Sequence, residues 1–221
     1  MSFLLNKFIR QLLYYDFVIQ FSFGLLSPLL GVFVISNIAD ANLEVIGTAV
    51  SVYWIARVIF SVPLSKFMDK FDGERDEYYF LLTGTFISST IPLFFLFATE
   101  SWHIYVLQFI FGFSNSMLVP AWRILFTDHL DKGKIGLEWS LNDVFVGISI
   151  AGSGFFGALI AQHLGFNFLF VFVAICGYVS TLLLIPLYRD ALSKPKMAQK
   201  LPRPLNEVLH ERKKISVIKG A

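Results

Sequence analysis

The sequence predicts an all-α polytopic membrane protein with six transmembrane helices and both termini in the cytoplasm. Of its 221 residues, 56% are hydrophobic and 15% are charged, whereas soluble domains are nearer a quarter charged. Apolar runs longer than about 18 residues recur, and each is long enough to cross a hydrocarbon core of about 30 Å as a helix. Helices satisfy their own backbone hydrogen bonds, as lipid requires.

The apolar runs define the elements of a transmembrane domain that we expect to occupy residues 1–189. We place its helices at about 14–38, 44–66, 78–98, 103–127, 138–162 and 166–188. Lys7 and Arg10 precede the first run as basic residues do in a signal peptide. However, the run from Phe17 to Ile38 is longer than the apolar core of about 7–15 residues in signal peptides. We therefore expect an uncleaved first span.

Basic residues alternate from connector to connector. The connectors after spans one, three and five contain no Lys or Arg, and 17 of the 18 basic residues lie in the N-terminus, the other two connectors and the C-terminal tail. Basic loops stay in the cytoplasm, so both termini should be cytoplasmic, and we expect the plasma membrane as the location. Residues 190–221 form a basic tail, which either places a short helix on anionic lipid or has no fixed structure.

Polar and small residues share one helical face in the first span and one in the fourth. In the first span they are Asp16, Gln20, Gly24, Ser27 and Gly31, and in the fourth they are Gln108, Gly112, Asn115 and Arg123. Lipid is a poor neighbour for such faces, so spans one and four should line a polar interior. Span five carries Asp143 and several glycines that permit close helix packing. Spans three and six should be peripheral.

Proline spacing suggests an internal repeat. Pro28 of the first span and Pro120 of the fourth lie 92 residues apart, and Pro92 of the third and Pro186 of the sixth lie 94 apart. Two repeats of three spans each would be inverted, because three is an odd number of crossings. The alternative is coincidence, since the sequence has eight prolines.

Arg57 is the basic residue outside the connectors and termini. It lies nine residues before Lys66, which places it about 13 Å into the bilayer. A central arginine costs about 2.5–3.5 kcal/mol on insertion scales. Three interpretations are open: an ion pair with Asp16 or Asp143 that holds helices together, a relay for protons or substrate, or a side chain that reaches back to the interface.

The sequence carries no signature of enzyme chemistry. The four histidines share no ligand spacing on one helix, and there is no phosphate-binding loop and no nucleophile elbow. A single cysteine, Cys176, excludes an intramolecular disulfide. We therefore expect no catalytic residue, no metal site, no cofactor and no nucleic-acid partner.

The connector between spans two and three resembles the conserved loop of the major facilitator superfamily, which reads roughly Gly-x-x-x-Asp-Arg-x-Gly-Arg-Arg. Asp69 and Lys70 match the Asp-Arg pair, Gly73 and Arg75 match with one residue inserted, and Ser65 replaces the leading glycine. The segment reads Ser65-Lys66-Phe67-Met68-Asp69-Lys70-Phe71-Asp72-Gly73-Glu74-Arg75. The end of span four and the glycine-rich fifth span are also similar to the family, and the resemblance covers about residues 10–188.

The resemblance implies a transporter that moves a small solute by alternating access, with spans one and four lining the cavity. It also implies a cytoplasmic latch that comprises Asp69, Lys70, Gly73, Arg75 and Asp128. In the latch, Asp69 would contact the opposite half and Arg75 would bridge to Asp128. The alternative is that the basic residues of this loop only set the topology. The candidate cavity residues are Asp16, Gln20, Ser27, Arg57, Gln108, Asn115, Arg123 and Asp143.

The family has twelve spans in two halves, and this sequence resembles one half, of the N-terminal type. Four explanations are open: a dimer of identical halves, a second six-span chain, a fragment of a longer protein, or a protein that no longer transports. In the last case it would be a membrane interaction protein whose basic tail recruits a partner. The expected partners are the lipid bilayer and the second half. The sequence does not specify the solute.

Overall fold

The computed structural model describes residues 5–70 and 74–188, and the regular secondary structure in these ranges is helical. The helices are α1 (Lys7–Leu26), α2 (Leu30–Asn37), α3 (Leu43–Met68), α4 (Arg75–Phe95), α5 (Ser101–Asp128) and α6 (Ile135–Leu183), followed by a 3-10 turn at Ile185–Leu187. The predicted basic tail, residues 190–221, lies outside the described residues, and so does Gly73.

Five helical stretches in the described ranges are long and apolar enough to cross a membrane. They are Lys7–Asn37, Leu43–Met68, Arg75–Phe95, Ser101–Asp128 and Ile135–Leu187. The all-helical prediction is therefore confirmed. The difference from the expected six arises because the predicted fifth and sixth spans fall within one continuous stretch of helix.

That long helix, α6, folds back on itself at Gly165, where φ is 83° and ψ is 168°. In a straight helix Ser153 and Val173 would lie about 30 Å apart. Ser153 instead abuts Gly24, and the carbonyl of Val173 accepts a hydrogen bond from the Ser22 hydroxyl at 2.8 Å. The two arms of α6, residues 135–164 and 166–183, therefore run in opposite directions along α1.

The helices pack through two apolar clusters at opposite ends of the bundle. The first lies where α1 begins and α5 ends and includes Phe8, Leu12, Met68, Leu81 and Phe126. The second lies at the other end and includes Leu25, Phe33, Ile104, Val173 and Phe170. Buried side-chain hydrogen bonds also join the helices, such as Tyr15 Oη to Thr85 Oγ1 and Ser88 Oγ to Ser114 Oγ, each 2.7 Å long.

Burial within the chain differs strongly between α3 and α4. In the most apolar 18-residue stretch of each helix, 17% is buried in α3 and 50% is buried in α4. The small residues Gly84, Ser88 and Ser89 let α4 approach α5 and the second arm of α6. The expectation that the third span is peripheral therefore holds for one face only, which exposes Phe86 and Phe94.

Candidate functional site

A cavity of about 530 Å³ lies among α1, α3, α4 and α5. Its polar lining residues are Gln20, Ser27, Tyr53, Arg57, Ser88, Gln108, Asn115 and Arg123. Its apolar lining residues are Phe23, Leu26, Leu30, Val50, Ile91, Pro92, Phe95, Phe111 and Val119. Six of the eight candidate cavity residues predicted from the sequence therefore line one cavity. Phenylalanine rings line the same cavity beside these polar residues.

Helical periodicity explains how the polar residues converge. Gln20 and Ser27 are seven residues apart on α1, and Gln108 and Asn115 are seven apart on α5. Seven residues are close to two helical turns, so the members of each pair lie on one face. Ser27 lies at the break between α1 and α2, next to Pro28.

Arg57 is held within α3 by its own neighbours. Its Nη1 donates a hydrogen bond to Tyr53 Oη at 3.1 Å, and its guanidinium carbon lies 5.0 Å from the centroid of the Trp54 ring. Both contacts stabilise the cation without a countercharge. Among the described residues, no carboxylate lies within ion-pairing distance of Arg57.

Asp16 and Asp143 are not among the residues that line the cavity. The Asp16 side chain is nearly buried and accepts a hydrogen bond from the side chain of Asn142 on the first arm of α6. Asp143, the next residue, is exposed. The ion pair of Arg57 with either aspartate is therefore not formed here, because Asp16 is engaged by α6 and Arg57 by α3.

The residues of the expected latch lie near one end of the bundle. Asp69 and Lys70 are exposed where α3 ends. Arg75 is exposed at the start of α4, with its guanidinium carbon 5.8 Å from the centroid of the Tyr79 ring. In the part of the chain that the structure describes, Arg75 and Asp128 are not joined as an ion pair. Their pairing stays a prediction.

A different pair joins the same two segments. The carboxylate of Glu74 lies 3.3 Å from His129 Nε2, and both side chains are almost fully buried. Glu74 immediately precedes Arg75, and His129 immediately follows Asp128. The ring of Phe8 stacks on that of His129, with centroids 3.5 Å apart. The sequence did not predict this pair, because the spacing of the histidines indicated only whether they could be metal ligands.

Comparison with known proteins identifies the family. The sequence pattern of the Major Facilitator Superfamily matches residues 15–219. The multidrug resistance protein MdtG of Citrobacter koseri is 26% identical over 174 residues, which are 76% of this chain and 41% of that protein. MdtG of Dickeya zeae is 27% identical over 161 residues, which are 71% of this chain and 38% of that protein.

A solved structure agrees in fold. The crystal structure of the POT family transporter PepTSo matches 91% of this chain and 40% of its own, with a TM-score of 0.65 and 16% sequence identity. This chain thus spans about two fifths of the length of the relatives that it matches. The match over most of its residues confirms the resemblance that the loop after α3 suggested, and the chain belongs to the major facilitator superfamily.

Proposed function

We propose that this chain forms one six-helix half of a transporter that moves a small solute by alternating access. The single observation that carries the proposal is the cavity among α1, α3, α4 and α5, in which polar residues from all four helices face a shared space. Polar side chains within transmembrane helices usually face the interior of the bundle rather than lipid, and there they often line a substrate pathway. The MdtG relatives are named as multidrug resistance proteins, and on this ground we take the transported solute to be an organic compound.

Six crossings follow if both arms of α6 cross the membrane. The reversal at Gly165 supports this count, because each arm runs along α1. The basic residues Lys7, Lys66, Lys70 and Lys134 lie at or near helix ends on the side where α1 begins. This arrangement favours cytoplasmic termini in the plasma membrane and an inverted repeat of three plus three helices.

A second half completes the cavity in this proposal. The uncovered apolar side chains of α3 and of the first arm of α6 favour such a partner. They include Val58, Val62, Ile148 and Phe155, each at least 60% exposed. The partner is a second copy of the chain or another six-helix unit. Native mass measurement in a mild detergent checks this, and a persistent monomer would argue against a dimer of identical halves.

Transport is tested in proteoliposomes that contain the purified chain and a panel of fluorescent organic solutes. We expect accumulation above that of empty liposomes, and we expect Gln108→Ala to reduce it because Gln108 lines the cavity. The matched control is Thr83→Ala, which changes an exposed side chain of α4 that bonds only to its own helix. Equal accumulation with and without protein, for every solute, contradicts the proposal.

A further inference from the structure

The charged side chains that line the cavity are all positive. Arg57 and Arg123 are its two charged lining residues, and no Asp or Glu of the described ranges lines it. Neither arginine forms an ion pair with a described carboxylate. A cationic solute would meet two guanidinium groups without a countercharge, whereas an anion would supply the charge that both arginines lack.

The packing of α3 on α5 places Arg57 beside the polar face of α5. A Cβ at Gly112 would lie 2.2 Å from the carbonyl oxygen of Tyr53 and 3.0 Å from Ala56 Cβ, so the two helices are in close contact there. Arg57 follows Ala56, and Gly112 lies about one turn from Gln108 and from Asn115. The guanidinium therefore faces the same cavity as the side-chain amides of Gln108 and Asn115.

Aromatic side chains line the cavity next to Arg57 and the two amides. The rings of Phe23 and Phe111 meet edge to face with centroids 5.2 Å apart, and the ring of Tyr53 lies 5.4 Å from that of Phe111. Phe95 also lines the cavity. Such a lining favours a flat apolar body, and the volume of about 530 Å³ falls in the range of about 300–1,000 Å³ that holds drug-sized ligands.

We propose that the cavity binds an amphipathic organic anion, with its carboxylate or sulfonate on Arg57 and its aromatic body against Phe23 and Phe111. A planar guanidinium binds an oxyanion through two parallel hydrogen bonds. Arg123 lies eight residues beyond Asn115, about 12 Å along α5, and attracts the anion towards the site from the end of the helix. This inference rests on the proposed transport function, because it names the class of solute carried.

Binding of two xanthene dyes of opposite charge tests the inference without transport. The purified full chain in neutral phosphatidylcholine nanodiscs is titrated with anionic fluorescein and cationic rhodamine 6G, and fluorescence anisotropy is recorded. We expect fluorescein to bind at least tenfold more tightly. We expect Arg57→Gln to weaken fluorescein binding about tenfold or more, since a charge-assisted pair of hydrogen bonds is lost. Arg57→Lys should retain part of the affinity.

Arg10→Gln is the matched control, because Arg10 is an exposed arginine outside the cavity. Equal or tighter binding of rhodamine 6G overturns the inference, and so does unchanged fluorescein affinity in Arg57→Gln. A third arm replaces part of the lipid with phosphatidylglycerol. If this lipid displaces fluorescein from the native protein, a lipid headgroup occupies the site and the inference is wrong.

The outcomes separate the solute class from transport itself. Fluorescein binding that depends on Arg57, without accumulation in proteoliposomes, would keep the class of ligand and overturn transport. Accumulation of rhodamine 6G together with weak fluorescein binding would keep transport and overturn the class of ligand.

Discussion

Glu74 Oε2 and His129 Nε2 lie 3.3 Å apart in a nearly closed environment and join the segment before α4 to the end of α5. His129 Nδ1 lies 2.9 Å from the carbonyl oxygen of Leu125. A carbonyl only accepts hydrogen bonds, so Nδ1 carries a proton. Attraction between Nε2 and the carboxyl group then depends on a second proton, carried by the imidazole or by the carboxyl group. The pair is therefore an imidazolium with a carboxylate, or an imidazole with a carboxylic acid.

Removal of one member should destabilise the protein strongly. We expect His129→Ala to lower the free energy of unfolding by about 3–5 kcal/mol, because it removes a buried ring that stacks on Phe8 and takes one partner from the buried carboxyl group of Glu74. Thermal unfolding in detergent, followed by tryptophan fluorescence, measures the change. The matched control is Lys134→Ala, which breaks a more exposed pair with Asp131 at 3.7 Å and should cost about 1 kcal/mol or less.

A double-mutant cycle with Glu74→Ala isolates the contact itself. We expect the double variant to be less destabilised than the sum of the two single variants, because the second change removes the carboxyl group that the first left behind. Additive effects of the two changes would show that the contact contributes nothing of its own.

Periodicity explains how much of the site the sequence predicted. A 3.6-residue period identifies which side chains share a face of one helix, and the nominated residues of α1 and α5 do meet in the cavity. The same period does not identify the neighbour that reaches each residue. Asp16 is bonded to Asn142 and Arg57 to Tyr53. These contacts depend on how the helices pack, which a single sequence does not encode locally.

At the helix ends, the sequence likewise predicted the position of the helices but not the contacts between their side chains. The apolar runs predicted where helices lie, and the break expected between about 162 and 166 occurs at Gly165. The sequence did not indicate that Glu74 and His129, the neighbours of Arg75 and Asp128, lie 3.3 Å apart at the end of α5. A shift of one residue in each segment brings different side chains together, and the His129 ring is buried against Phe8.

Close packing at Gly112 should be intolerant of a methyl group. We expect Gly112→Ala to force α3 away from α5, since the new Cβ would lie 2.2 Å from the Tyr53 carbonyl oxygen. The expected loss is about 1–3 kcal/mol of unfolding free energy, as for other overpacked interfaces. Gly147→Ala is the matched control, because a Cβ there meets nothing within 4 Å among the described residues. A melting temperature for Gly112→Ala equal to or higher than that for Gly147→Ala would contradict this packing.

The reversal of α6 should depend on glycine at position 165. Its backbone angles, φ 83° and ψ 168°, lie in a region that is almost restricted to glycine and costs other residues about 1–3 kcal/mol. We therefore expect Gly165→Ala to lower the melting temperature. Gly154→Ala, in the helical first arm with open space around its Cβ in the described structure, should leave it unchanged or raise it. A higher melting temperature for Gly165→Ala than for Gly154→Ala would contradict a reversal that depends on Gly165.

The latch makes a prediction about transport rather than stability. Asp69 and Arg75 are both exposed on this chain, so Asp69→Asn and Arg75→Ala should leave the melting temperature almost unchanged. If Asp69 contacts the opposite half and Arg75 pairs with Asp128 in one of the two access states, both variants should bias the equilibrium between the states and slow solute uptake several-fold.

Proteoliposome uptake, measured beside the melting temperature of each variant, checks the latch. Lys7→Gln serves as the control, because it removes an exposed charge near the same end of the bundle but outside the loop. Unchanged uptake in both variants would leave the loop with its topological role alone. A slower rate in Asp69→Asn at an unchanged melting temperature would indicate a contact beyond this chain. The exposed side chain of Asp69 supplies little stability here, and the partner half is where its carboxylate would act.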